Sequence, residues 1–142
     1  MLDTDVIVAA MRSPSGASAA ILRAARQGLP VLLSVPMALE YEAVCRQEEH
    51  RLAADLSDRQ AEIFVTALIA MAEPVDRYFL WRPQLRDAGN EMVLETAVNG
   101  NAHAIVTFNL RHFQIAGKTF NCAVLLPREA LRQIRSSIHE TE

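Results

Sequence analysis

The chain has 142 residues, 51% of them hydrophobic and 22% charged, with a formal net charge of -3. That length suits one domain spanning 1–142, and the composition is that of an ordinary water-soluble fold, which excludes a disordered chain and a broadly basic nucleic-acid binder. No apolar stretch reaches the roughly 20 residues needed to span a bilayer, and the N-terminus carries no signal-peptide pattern, so a cytoplasmic protein is expected. Cys45 and Cys122 have neither CxxC spacing nor grouped histidines, so they read as buried thiols and not as zinc ligands. Of the 14 basic residues only Lys118 is a lysine, and arginine suits planar contact with carboxylate or phosphate.

The opening run, residues 1–10, is apolar apart from Asp3, Thr4 and Asp5. Carboxylates in such a run need an ion, a hydrogen bond or a metal as partner. A turn at 12–16 precedes a helix over 17–27, stopped by Gly28 and Pro30. Residues 31–33 form a short buried strand, and Ser34 caps a helix with Pro36 in its first turn, running to about 47. A further helix over 59–72 carries the stripe Ile63, Phe64, Ala67, Leu68, Ala70 and Met71, ended by Pro74. The aromatic run 75–81, with Tyr78, Phe79 and Trp81, reads as an edge strand closed by Pro83. Then follow a helix over 90–99 ended by Gly100, strands over 104–107 and 122–126, and a closing helix over 127–138 that begins with proline.

Short, continuously apolar strands alternating with helices predict an α/β fold, a three-layer α/β/α sandwich around a central parallel sheet. Ligands of such sheets bind beyond the carboxyl ends of the strands. Asp3 ends the first strand. Glu40 shares the apolar face of its helix with Met37, Tyr41 and Val44, whereas Glu42 is rotated towards solvent. Asn90 starts a helix whose inner stripe is Val93, Leu94 and Ala97, with Asp87 as an alternative cap. Asn109 lies directly beyond the strand over 104–107. Four oxygen-bearing side chains from four segments therefore converge on one edge, a set that suits Mg²⁺ or Mn²⁺ and metal-assisted phosphodiester hydrolysis.

These same segments resemble the PIN-domain ribonucleases, and among them the bacterial VapC-like toxins of toxin-antitoxin systems. LDTDVIV (2–8) resembles the family's opening LDTNVLV, SVPMALEYE (34–42) the segment with its acidic residue at Glu40, RDAGNEMVLETA (86–97) its RDPxDExxLExA, and AIVTFNLRHF (104–113) its AxVTxNxRDF. The resemblance implies a sandwich nuclease that binds Mg²⁺ or Mn²⁺ and cuts RNA, inhibited by a cognate antitoxin protein and forming a homodimer. It implies that the first strand ends near Thr4 and that 6–10 begins a helical turn. Asp3, Glu40, Asn90 and Asn109 would surround the metal, with Asp5, Asp87 or Glu91 as supporting acids. Thr4 and Thr107 would hydrogen-bond phosphate, and Arg86 or Arg111 would hold the RNA backbone. The chain departs from the pattern in having Asp5 where Asn is usual, Asn90 where a catalytic Asp stands, Asn109 where most members have Asp although the VapC-like subgroup often shows Asn, and His112 where Asp commonly follows.

Two other readings compete. Asp3-Thr4-Asp5-Val6 also resembles the start of haloacid-dehalogenase-type phosphatases, with Asp3 as nucleophile, but no GDxxxD acidic pair accompanies Lys118. A non-catalytic PIN-like module that binds RNA or protein is the other, because replacing one carboxylate by an amide removes charge that holds a divalent ion.

Overall fold

A computed structural model describes residues 1–76 and 88–140. The chain enters as an extended segment. The Val106 N–H donates to the Met1 carbonyl and the Asp3 N–H to the Val106 carbonyl, both at 2.9 Å. Leu2 thereby lies parallel to β3 (Ala104–Val106), which pairs on its other side, also in parallel, with β4 (Ala123–Leu125). A second parallel pair joins β1 (Leu32–Leu33) to β2 (Glu73–Pro74) and continues as Val75 N–H to the Leu33 carbonyl at 2.9 Å. Every pairing among the described residues is parallel, as the apolar strand pattern requires. Among the described residues the two pairs share no ladder, so the fold is α/β with helices dominant and strands of two or three residues.

Helices fill the connections. α1 (Thr4–Arg12) starts one residue after the opening strand, because the Asp3 carboxylate caps it. α2 (Ala17–Arg26) ends before Gly28, whose φ of +116 is a conformation glycine adopts without strain. α3 (Val35–Cys45) is capped by the Ser34 hydroxyl, with Pro36 in its first turn. Its Glu42 faces away from the core and pairs with Arg46 at 3.1 Å, and Arg46 reaches Asp58 at 2.8 Å, the first residue of α5 (Asp58–Met71). Ser57 and Gln60 close a reciprocal capping box on α5. α6 (Ala88–Asn99) packs against both β1 and β3, and its Thr96 hydroxyl meets the Ser34 hydroxyl at 2.7 Å. α8 (Pro127–Glu140) returns to lie on α2. Val6, Ile7, Met37, Tyr41, Ile105 and Phe113 are wholly buried between these elements. No helix among the described residues is long and apolar enough to cross a membrane.

Two helices depart from the pattern expected of the sequence. α4 (Glu48–Ala53) buries no side chain, so it leaves no apolar stripe to read. α7 (Leu110–Thr119) holds its buried residues Phe113 and Ala116 between exposed ones, Ile115 among them, and contains Gly117, which reads as a breaker. That glycine is there for packing: a Cβ would lie 2.7 Å from the Cys122 carbonyl oxygen and 2.7 Å from Val124 Cγ2. Gly117→Ala is therefore expected to destabilise the protein by about 1–3 kcal/mol, measured by urea unfolding, because backbone has to yield. The pairing with β1 uses Glu73–Pro74 and continues through the Val75 N–H, where the strand expected over 75–81 begins; Tyr78, Phe79, Trp81 and Pro83 lie outside the described residues.

Candidate active site

The site grows from the parallel register of the opening segment and β3. Running side by side in one direction, they end together, with Asp3 beside Thr107, the residue after β3. Asp3 is 7% exposed. Its Oδ1 accepts from the Thr4 N–H at 2.8 Å and its Oδ2 from the Thr107 hydroxyl at 2.7 Å. The Thr107 oxygen also accepts from the Asn109 N–H at 3.0 Å, which shapes the turn into α7.

Glu40 reaches this edge from the second turn of α3, where its Oε2 accepts from the Thr4 hydroxyl at 2.8 Å. The next residue, Tyr41, is fully buried and donates its phenol proton to the Leu2 carbonyl, anchoring α3 to the segment that carries Asp3. Burial, and then the nearby charges of Asp3 and Glu40, hold that phenol well above its ordinary pKa, so it remains a donor.

Asp5 sits one helical step further along. Its Oδ2 accepts from the Phe108 N–H at 3.1 Å and from Asn109 Nδ2 at 3.0 Å. Its Oδ1 is buried and has no hydrogen-bond partner among the described residues. Desolvation first, and then the neighbouring Asp3 charge, push the Asp5 carboxyl up to about 6 from an ordinary 3.8.

Asn90, in the first turn of α6, places Nδ2 3.1 Å from His112 Nδ1. His112 lies in the first turn of α7, one turn from Asn109, whose carbonyl accepts the His112 N–H at 3.1 Å. The structure thus links Asp3, Thr4, Asp5, Glu40, Thr107 and Asn109 by direct hydrogen bonds, and brings Asn90 to the adjoining helix start through His112. His112 was absent from the expected set; its spacing of three residues from Asn109 was the available signal, obscured because α7 itself was not anticipated. Glu91 is half-buried on the same turn as Asn90, and Arg111 is exposed at the start of α7. Arg86 and Asp87 lie outside the described residues.

Thr4 and Thr107, expected to hydrogen-bond phosphate, direct their hydroxyls to Glu40 and Asp3 in this structure, and Thr107 is fully buried. Both contacts hold a carboxylate in place. Thr107→Val, which keeps the shape and removes the hydroxyl, is expected to lower stability by about 2 kcal/mol in urea unfolding, because a charged buried oxygen loses its donor.

The donor set consists of hard oxygens, as Mg²⁺ and Mn²⁺ require. Among the described residues no three His, Cys, Asp or Glu side chains gather into a ready-made cage. Mg²⁺ does not need one, since it is usually held by one or two carboxylates together with water and substrate phosphate. The buried, unpartnered Asp5 Oδ1 beside the Asp3 charge is what such an ion would satisfy, so the residues fit the group.

Comparison with known proteins adds one positive finding: a family profile described as PIN domain matches residues 1–111. No curated protein and no solved structure gives a significant match. The matched span contains every carboxylate and amide of the network just described, and on that match the chain belongs to the PIN-domain family.

Proposed function

We propose that this chain is a metal-dependent endoribonuclease and the toxin component of a toxin-antitoxin pair. PIN domains are generally nucleases and typically use divalent metal ions. The observation that carries the reading is the half-buried Asp5 carboxylate near the Asp3 charge, whose buried Oδ1 has no hydrogen-bond partner among the described residues, at the carboxyl end of the parallel strands. Asp3 and Asp5 would hold Mg²⁺ or Mn²⁺, which when bound supplies an activated water and neutralises charge on the phosphate. Glu40, steadied by the Thr4 hydroxyl, orients water and accepts its proton. Asn109 keeps Asp5 in place through Nδ2, and Asn90 positions substrate from the start of α6. Arg111, exposed beside Asn109, holds the RNA backbone.

The test is cleavage of single-stranded and structured RNA by the purified protein with Mn²⁺ and with EDTA. Mn²⁺-dependent cuts that vanish in Asp3→Asn support the reading; an absence of cleavage in the natural protein and in Asn90→Asp overturns it.

The Asn90–His112 hydrogen bond favours one second reading, a PIN-like module that binds RNA or protein without cutting, because an amide occupied by His112 adds no charge to a metal site. Calorimetry with Mn²⁺ separates the two: heat that is lost in Asp3→Ala supports the nuclease.

The same proposal includes a cytoplasmic location, a cognate antitoxin and a homodimer. Val35 and Leu39, one turn apart on α3 and 74% and 62% exposed, support a partner-binding face. It also treats residues 1–142 as one domain and the two parallel sheets as one central layer of a three-layer sandwich, supported by α6 packing on both β1 and β3.

A further inference from the structure

Beside the carboxylates lies a cavity of about 400 Å³ between the end of α1, the start of α2 and the start of α8. Ala9, Ala17, Leu126 and Pro127 give it an apolar floor, and the Phe108 ring, 50% exposed, forms its edge nearest the acids. That position is set by the main chain, because the Phe108 N–H is the donor that holds Asp5 Oδ2.

The polar end of the cavity is suited to an anion. α2 is ten residues long and starts at Gly16, which supplies no side-chain cap, and the N–H groups of Ala17, Ser18 and Ala19 meet no acceptor among the described residues. Free N–H groups at a helix start attract negative charge. An independent observation points the same way. Ser18 lines the cavity, is only 4% exposed, and its hydroxyl has no hydrogen-bond partner among the described residues. The exposed Arg128 adds a positive charge from the first turn of α8. α8 itself contributes less, because Glu129 Oε1 already accepts the Leu126 N–H at 3.0 Å.

We propose that this cavity is a subsite for one nucleotide of the RNA strand next to the scissile phosphate, with its base against the Phe108 ring and its phosphate between the start of α2, Ser18 and Arg128. The volume lies in the range of small-molecule sites, and the pairing of one aromatic face with one cationic end is the chemistry that binds single strands. The inference rests on the nuclease reading and names where its substrate strand runs.

The test is binding of a fluorescein-labelled single-stranded RNA octamer to the full chain in EDTA, by anisotropy across a salt series. Phe108→Ala and Arg128→Ala change exposed side chains, and Arg26→Ala, at the far end of α2, is the charge-matched control. Phe108→Ala is expected to weaken binding about tenfold. Arg128→Ala is expected to weaken it by a similar factor and to reduce the salt slope by about 0.7. Arg26→Ala is expected to bind as the natural chain does. Unchanged affinity in the first two variants, or an equal loss in Arg26→Ala, overturns the subsite. Mn²⁺-dependent cleavage with pocket-independent binding overturns the subsite alone; pocket-dependent binding without cleavage overturns the nuclease reading alone.

Discussion

Asp3→Asn is expected to lower Mn²⁺-dependent RNA cleavage at least about a hundredfold while leaving the far-ultraviolet circular dichroism unchanged. Asp3 occupies the strand end that β3 and the opening segment share, and both of its oxygens accept hydrogen bonds, Oδ1 from the Thr4 N–H and Oδ2 from the Thr107 hydroxyl. An amide at this position presents one oxygen and one NH₂ group, so either the Thr4 N–H faces another donor or the Thr107 hydroxyl loses the acceptor of its proton. The variant should therefore also lose about 2 kcal/mol of stability, read from its urea midpoint. Cleavage at the natural rate in a folded Asp3→Asn sample would remove Asp3 from the site.

Asp5→Asn should move stability and activity in opposite directions. An amide can offer its oxygen to Phe108 N–H and Asn109 Nδ2 and turn its nitrogen towards Asp3, which removes both the orphaned buried oxygen and the like-charge repulsion. Metal-free Asp5→Asn is thus expected to melt at a higher temperature than the natural protein at pH 7, and to lose Mn²⁺-dependent cleavage. The pH dependence follows from the raised pKa. As pH rises, an unfolded Asp5 gives up its proton near 3.8, whereas the folded one keeps it to about 6. The folded state binds more protons across that window, so the metal-free natural protein loses stability as pH rises from about 4 to about 6. Melting temperatures recorded from pH 4 to 7 check this: the contribution should vanish in Asp5→Asn, and Mn²⁺ should raise the melting temperature of the natural protein only. A flat pH series in both proteins would show that Asp5 carries no buried charge.

Asp5 and Asn109 bond to each other at 3.0 Å, so the negative charge at that contact is carried from the α1 side and the neutral amide from the start of α7.

Much of the fold was legible because the signals are local. Ser34 with Pro36, Ser57 with Gln60, and Gly28 act within a few residues of the boundaries they set, and the observed α2, α3, α5 and α8 begin within a residue or two of the expected positions. Short apolar runs between helices required parallel pairing, which is what forms. α4 was not legible because it buries nothing, and α7 was not because Gly117 reads as a stop until its contact with the Cys122 carbonyl is known.

For the candidate site, the amino-acid order alone picked out which carboxylates need a partner. Asp3 and Asp5 in an apolar run, and Glu40 on the buried face of its helix, follow from the expense of burying charge without a partner. What it left open was how those groups are held, because hydrogen bonds across 36 to 104 residues depend on how helices pack. Only the tertiary structure shows that the Thr4 and Thr107 hydroxyls reach Glu40 and Asp3. It also paired Asp5 with Asn109, brought Asn90 to His112, and set Phe108 at the mouth of a cavity formed by three separate helices. Side-chain type and spacing choose the groups that need partners, and the packing of distant segments chooses which partners they find.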